Sequence, residues 1–189
     1  MKRIFVYILS AVLLTSALLS TVGCGSDGGA ETQAPVSGHE TSAETDDPSK
    51  TKALDFTMLN SEGEEVSLYD YVGKPIVLNF WASWCPPCKA EMPDFEAAYQ
   101  KYGDDVVFLM VNLTDGRRET VDTAKAHIAS CGYTFPVFFD TKYEGATFYR
   151  ITSIPQTYFF DADGYLVSVA RQMLDAETLE REINAILGQ

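Results

Sequence analysis

The sequence predicts an α/β fold, with a mixed central sheet flanked by helices. Three observations carry it. Two near-continuous apolar runs, residues 76–82 and 106–111, have the pattern of strands covered on both faces. Each is followed by a segment with helical spacing. The C-terminal part passes through a hairpin signal into an amphipathic helix. Strands separated by helices, then a closing hairpin and helix, imply a mixed sheet with helices on both faces.

In chain order, residues 1–22 begin with Lys2 and Arg3 and continue as an apolar stretch, the build of an export signal. Residues 25–52 are rich in Gly, Ser, Thr, Ala and acids, and read as a flexible acidic tether. The folded domain is expected at 53–189, a size typical of one domain. Residues 56–59 and 65–68 flank Asn60-Ser61-Glu62-Gly63, which predicts an N-terminal hairpin. Residues 70–74 form a turn into the first buried strand. A helix from Pro86 carries Met92, Phe95, Ala98, Tyr99 and Tyr102 at helical spacing, and Pro93 should bend it. After the second buried strand, 117–130 reads as a fairly polar helix ended by Gly132. Residues 135–139 read as extended and 143–151 as a short helix. Strands at 156–160 and 165–169 are joined by Asp161-Ala162-Asp163-Gly164. Asp175 caps a last helix with Leu179, Ile183, Ile186 and Leu187 on its apolar stripe.

Charge excludes some functions. Without Lys2 and Arg3 the chain carries 12 basic and 27 acidic residues, a net of −15. Such a surface argues against nucleic acid and against electrostatic docking on anionic lipid. No flavin or nicotinamide motif is present, so no cofactor is expected.

The chemistry concentrates in Cys85-Pro86-Pro87-Cys88, at the junction of a buried strand and a helix. Two cysteines separated by two residues in that setting point to a redox pair. Cys85 falls at a helix N-terminus, where unpaired N–H groups and the helix dipole favour the thiolate, which is the nucleophile. Pro86 and Pro87 suit a helix start, but each removes a donor from the thiolate. A static disulfide or a zinc half-site are the alternatives. His127 and Cys131 do lie four apart on one helix face, yet the strand–helix context explains Cys85 and Cys88 without metal. A thiol peroxidase is excluded: its Pro-x-x-x-Thr/Ser-x-x-Cys pattern meets Leu78 and Ala82 here. Unpaired Cys131 is expected to be a small buried hydrophobe.

The segment Asn79-Phe80-Trp81-Ala82-Ser83-Trp84-Cys85-Pro86-Pro87-Cys88-Lys89-Ala90-Glu91-Met92-Pro93 resembles the active site of thioredoxin-fold proteins. More narrowly, it resembles the membrane-anchored, extracytoplasmic TlpA/ResA-type thiol–disulfide oxidoreductases, over roughly residues 54–187. The resemblance implies a thioredoxin fold with an added N-terminal β-hairpin. It implies that Cys85 attacks and Cys88 resolves, and that Glu91 shuttles protons or adjusts thiol pKa values. Asn79 stands where cytoplasmic thioredoxins have a titrating Asp, so Glu91 is a candidate to replace it. In Ser153-Ile154-Pro155-Gln156-Thr157 the resemblance implies a cis proline facing the cysteines, with the Ile154 backbone pairing with an extended substrate and Pro155 blocking metal capture. Trp84 and Pro86 join Ile154 and Pro155 as candidate substrate contacts. Trp81 and Trp84 are read as packing and site-shaping groups.

The export segment ends at Thr21-Val22-Gly23-Cys24, which resembles the cleavage box of bacterial lipoproteins, with Cys24 lipidated; Thr21 stands where Leu is usual. An uncleaved membrane anchor and an ordinary cleaved signal also fit. All three place the domain outside the cytoplasm. The expected function is reduction of disulfides in exported proteins by a monomer that draws electrons from a membrane thiol carrier, with apocytochrome c one substrate class that the resemblance suggests. An oxidase using the same site is one alternative. A metal-binding chaperone is another, and it lacks extra Met or His ligands near the pair.

Overall fold

A computed structural model describes residues 49–189; Cys24, the export segment and the tether as far as residue 48 lie outside the described residues. The two apolar runs form β3 (Ile76–Trp81) and β4 (Val107–Asn112), which pair in parallel from Ile76 opposite Val107 to Trp81 opposite Asn112. Between them runs α1 (Pro86–Tyr102), with Pro93 inside it. From β4 the chain crosses through α2 (Val121–Cys131) to β5 (Val137–Phe139), again parallel.

Antiparallel strands finish the sheet. At one end β1 (Thr57–Leu59) pairs with β5 and with β2 (Glu65–Ser67). At the other, β6 (Gln156–Phe160) pairs with β3, and β7 (Leu166–Ala170) with β6. The order is β2-β1-β5-β4-β3-β6-β7, a mixed seven-stranded sheet among the described residues. Two short helical pieces complete the chain before the last helix. Residues Leu68–Tyr71 form a 3₁₀ turn with a Ser67–Asp70 capping box, in place of the simple turn expected there. Then α3 (Glu144–Phe148) leads towards β6, and α4 (Ala176–Ile186) ends the chain behind an Asp175 N-cap.

Strand side chains alternate between two cores. Val77, Trp81, Phe108, Met110 and Phe159 point to the face covered by α1, α2 and α4, where Phe95, Ala124 and Ile183 meet them. Ile76, Leu78, Phe80, Leu109, Val111 and Phe160 point to the other, beneath Phe56, Leu68 and Tyr149. Both faces of β3 and β4 are therefore sealed, which is why their sequences show no polar alternation. The parallel β3–β4 pair delivers the end of β3 and the start of α1 to one edge of the sheet.

Two expectations need correction. The helix expected at 117–130 begins only at Val121, because Thr120 caps it and Asp115 folds the preceding residues into a turn. Cys131 is exposed: it is the last residue of a polar helix whose buried residue is Ala124.

The close approach of α3 to the N-terminal segment is tight. A Cβ on Gly145 would meet the Phe56 ring at 2.5 Å. Gly145→Ala should therefore destabilise the domain by roughly 1–3 kcal/mol in urea unfolding; an unchanged midpoint would show that Phe56 yields freely.

Candidate active site

Cys85 is the N-cap of α1, in extended backbone at φ −88° and ψ 109°. Pro86 and Pro87 occupy the first two helical positions and offer no N–H. The first available donor is Cys88, whose N–H donates to Cys85 Sγ at 3.2 Å. The donors removed by the prolines are thus replaced by one from the next residue of the same turn. The two sulfurs lie at disulfide distance, 2.12 Å, with Cα atoms 5.3 Å apart. Cys88 is fully buried, and Cys85 is 2% exposed.

The Ile154–Pro155 bond is cis. It brings the Ile154 carbonyl oxygen to 3.7 Å from Cys85 Sγ. Beside the pair opens a groove of about 400 Å³ whose walls include Trp84, Pro86, Leu113, Tyr143, Ile151 and Ile154. Trp84 and Tyr143 are each 38% exposed, so two aromatic rings face solvent on this surface. Trp81 is buried, in the core beneath the pair.

One turn after Cys88, Glu91 points inward and is 2% exposed. Asn79 Nδ2 donates to its Oε1 at 2.9 Å, and the Leu174 N–H donates to its Oε2 at 2.9 Å. Asn79 also donates to Thr157 Oγ1 at 2.9 Å. Burial pushes the Glu91 carboxyl up to about 7; the Leu174 and Asn79 hydrogen bonds pull the other way, and Asp94 adds to the rise. The sequence relation between Asn79 and Glu91 is thus a direct contact.

A second buried carboxylate, not anticipated from sequence, braces the loop before Cys85. Glu119 accepts from the Ser83 N–H at 2.9 Å, from Ser83 Oγ at 2.7 Å and from Asn112 Nδ2 at 2.7 Å. Arg118 was also missed: its guanidinium carbon lies 3.7 Å from the Trp84 ring centroid. Neither residue follows a motif; only the fold of loop 113–120 brings them to the site. His127 and Cys131 form their helical pair, at 4.0 Å, but no group of three or more His, Cys, Asp or Glu converges among the described residues.

Dithiol–disulfide exchange needs two sulfurs within bonding reach and an approach to one of them. The strand–helix junction supplies both, and the chain is a thiol–disulfide oxidoreductase of the thioredoxin fold. Within that class it belongs to the AhpC/TSA family, whose model matches residues 50–169. It is 37% identical to the thiol-disulfide oxidoreductase ResA of Oceanobacillus iheyensis over 124 residues, 66% of this chain and 63% of the relative. The crystal structure of StoA from Bacillus subtilis superposes with a TM-score of 0.60 at 31% identity, covering 69% of this chain and 96% of that one. The pneumococcal exposed lipoprotein thioredoxin Etrx1, from Streptococcus pneumoniae, gives 0.59 at 28% identity, with 72% and 100% covered.

A raised carboxyl couples folding to pH. The unfolded chain releases the Glu91 proton near 4.5, the folded protein near 7. Below the lower value both states hold the proton and the contribution to stability is whole; it is lost as pH rises through the upper one. The size is on the order of 3 kcal/mol. Glu91→Gln should flatten the fall of unfolding free energy between pH 4.5 and 7, and a variant with the wild-type slope would place that titration elsewhere.

Proposed function

We propose that the chain is an extracytoplasmic, lipid-anchored reductase of disulfides in exported proteins. The observation that carries the order of events is the asymmetry of the pair. Cys85 borders the groove and receives the Cys88 N–H, while Cys88 lies fully buried behind it. Cys85 thiolate attacks one sulfur of the substrate disulfide; a mixed disulfide forms and the other substrate sulfur leaves as a thiolate and takes a proton. Cys88 then gives its proton to the Glu91 carboxylate and attacks Cys85 Sγ. The second substrate sulfur leaves and is protonated. Two electrons have passed to the substrate, and Cys85–Cys88 is a disulfide. A carboxyl poised near 7 is suited to that transfer, because both of its forms are populated at neutral pH.

Trp84, Pro86 and Ile154 line the approach, and Pro155 sets the Ile154 carbonyl beside Cys85. A dithiol carrier in the membrane returns two electrons and two protons to the pair. The export-type segment and its Cys24, together with the likeness to an exposed lipoprotein thioredoxin, support the location and the lipid anchor. No helix among the described residues is long and apolar enough to cross a membrane. A reducing direction, with apocytochrome c as one substrate class, is what the resemblance of residues 79–93 to TlpA/ResA-type proteins implies.

Equilibration of the Cys85/Cys88 couple with a thiol buffer tests the direction. A potential at or below about −200 mV is expected; a value near about −120 mV, in the range of strong periplasmic oxidants, would make the chain an oxidase. Cys88→Ser should accumulate the mixed disulfide with a cystine peptide, and Cys85→Ser should form none. Equal trapping by both variants would reverse or dissolve the assigned roles.

A further inference from the structure

Over Trp84, a wall of the groove beside Cys85, lies a cation with no ion-pair partner among the described residues. Arg118 lies over the ring of Trp84, the residue immediately before Cys85, and takes part in none of the ion pairs among the described residues. The acids of its own loop are turned elsewhere. Asp115 Oδ1 accepts the N–H groups of Arg117 and Glu119, at 2.8 and 2.9 Å. The Glu119 carboxylate faces inward, onto Ser83 and Asn112. A guanidinium stacked on an aromatic face keeps its N–H fork free for a carboxylate.

The groove itself is built for an extended apolar segment. Trp84, Leu113, Tyr143, Ile151 and Ile154 supply its walls. Tyr143 adopts φ 59°, a conformation that bulky residues rarely take. Strain of this kind persists where the surrounding structure enforces it, and here it belongs to a ring that faces the groove. The whole chain carries a net charge of −13, so an acidic substrate meets general repulsion. Screening limits each charge to about 8 Å at physiological ionic strength. Arg118, stacked on Trp84, is a cation within that range of the residue before Cys85, whereas the acids Asp115, Asp140 and Glu119 act on Tyr143.

We propose that Arg118 is a specificity-determining residue, and that the groove takes an extended apolar segment with an aspartate or glutamate two residues from its disulfide-bonded cysteine. A substrate residue two places from the attacked cysteine lies on the same face of an extended chain, ~7 Å along it, which brings its side chain towards Trp84 and Arg118. Trp84 and Arg118 then act together, the ring holding the guanidinium and the guanidinium binding the carboxylate. The proposal rests on the reductase reading and names the substrate class of that site.

Three disulfide-closed peptides test it, identical except for Asp, Asn or Lys two residues from the first cysteine. The reduced full chain, in neutral detergent, is mixed with each, and the rate constant for reduction is followed by tryptophan fluorescence. The expected order is Asp over Asn over Lys, with successive steps of roughly two- to fivefold that shrink at 1 M salt. Arg118→Glu should invert the Asp-to-Lys ratio, and Arg118→Lys should keep its direction. Equal rates for the three peptides, or an unchanged ratio in Arg118→Glu, would overturn the specificity while leaving the reductase standing. Failure of the wild type to reduce any peptide would remove both.

Discussion

The site is built around a carboxylate held out of water one helical turn after Cys88. Glu91 rises from α1, receives Asn79 from β3 and receives the Leu174 N–H from the segment leading into α4. Asn79 reaches on to Thr157 of β6. Three elements thus meet at one side chain, and β6 is reached through Asn79. Losing either donor would leave a buried oxygen without a partner, a penalty of about 1–3 kcal/mol or more for a charged group. The same burial raises the carboxyl to about 7. Structure and proposed chemistry have one source here: the packing that fixes α1 on the sheet also makes Glu91 able to exchange a proton at neutral pH.

The cysteines are prepared by a different device. A helix N-terminus ordinarily presents several free N–H groups, and Pro86 and Pro87 remove two of them. The Cys88 N–H remains and lies 3.2 Å from Cys85 Sγ. Placement of the loop before Cys85 falls to Glu119, through three hydrogen bonds to Ser83 and Asn112. One buried carboxylate therefore stands under the helix and another behind the loop. Each has a donor for both oxygens: Glu119 from the loop and from β4, Glu91 from Asn79 and the Leu174 N–H.

The central strands were legible because β3 and β4 are covered on both faces, which leaves an unbroken apolar run. The cysteine pair and its helix followed from a local motif. Glu91 could be placed one turn beyond Cys88 by helical spacing, but its depth could not, since that depends on Leu174, 83 residues away. Pro155 came from a resemblance; nothing local in Ser153-Ile154-Pro155 specifies a cis bond. Glu119 and Arg118 were illegible for the same reason as the late start of α2. All lie in or beside the loop at 113–120, whose path is set by Asp115 bonding its neighbours' backbone and by contacts to Ser83 and Trp84. Cys131 was misplaced because the preference of cysteine for burial was weighed without the polarity of its own helix.

The proposed proton transfer requires Glu91 to change its protonation near neutrality. The most direct measurement is a pH titration of the Glu91 side-chain carboxyl carbon by ¹³C NMR in the oxidised protein, assigned by comparison with Glu91→Gln. A midpoint at about 7 is predicted. A midpoint near 4.5, the ordinary glutamate value, would mean that the carboxylate is ionised throughout the working range and would contradict its place in the proposed proton transfer.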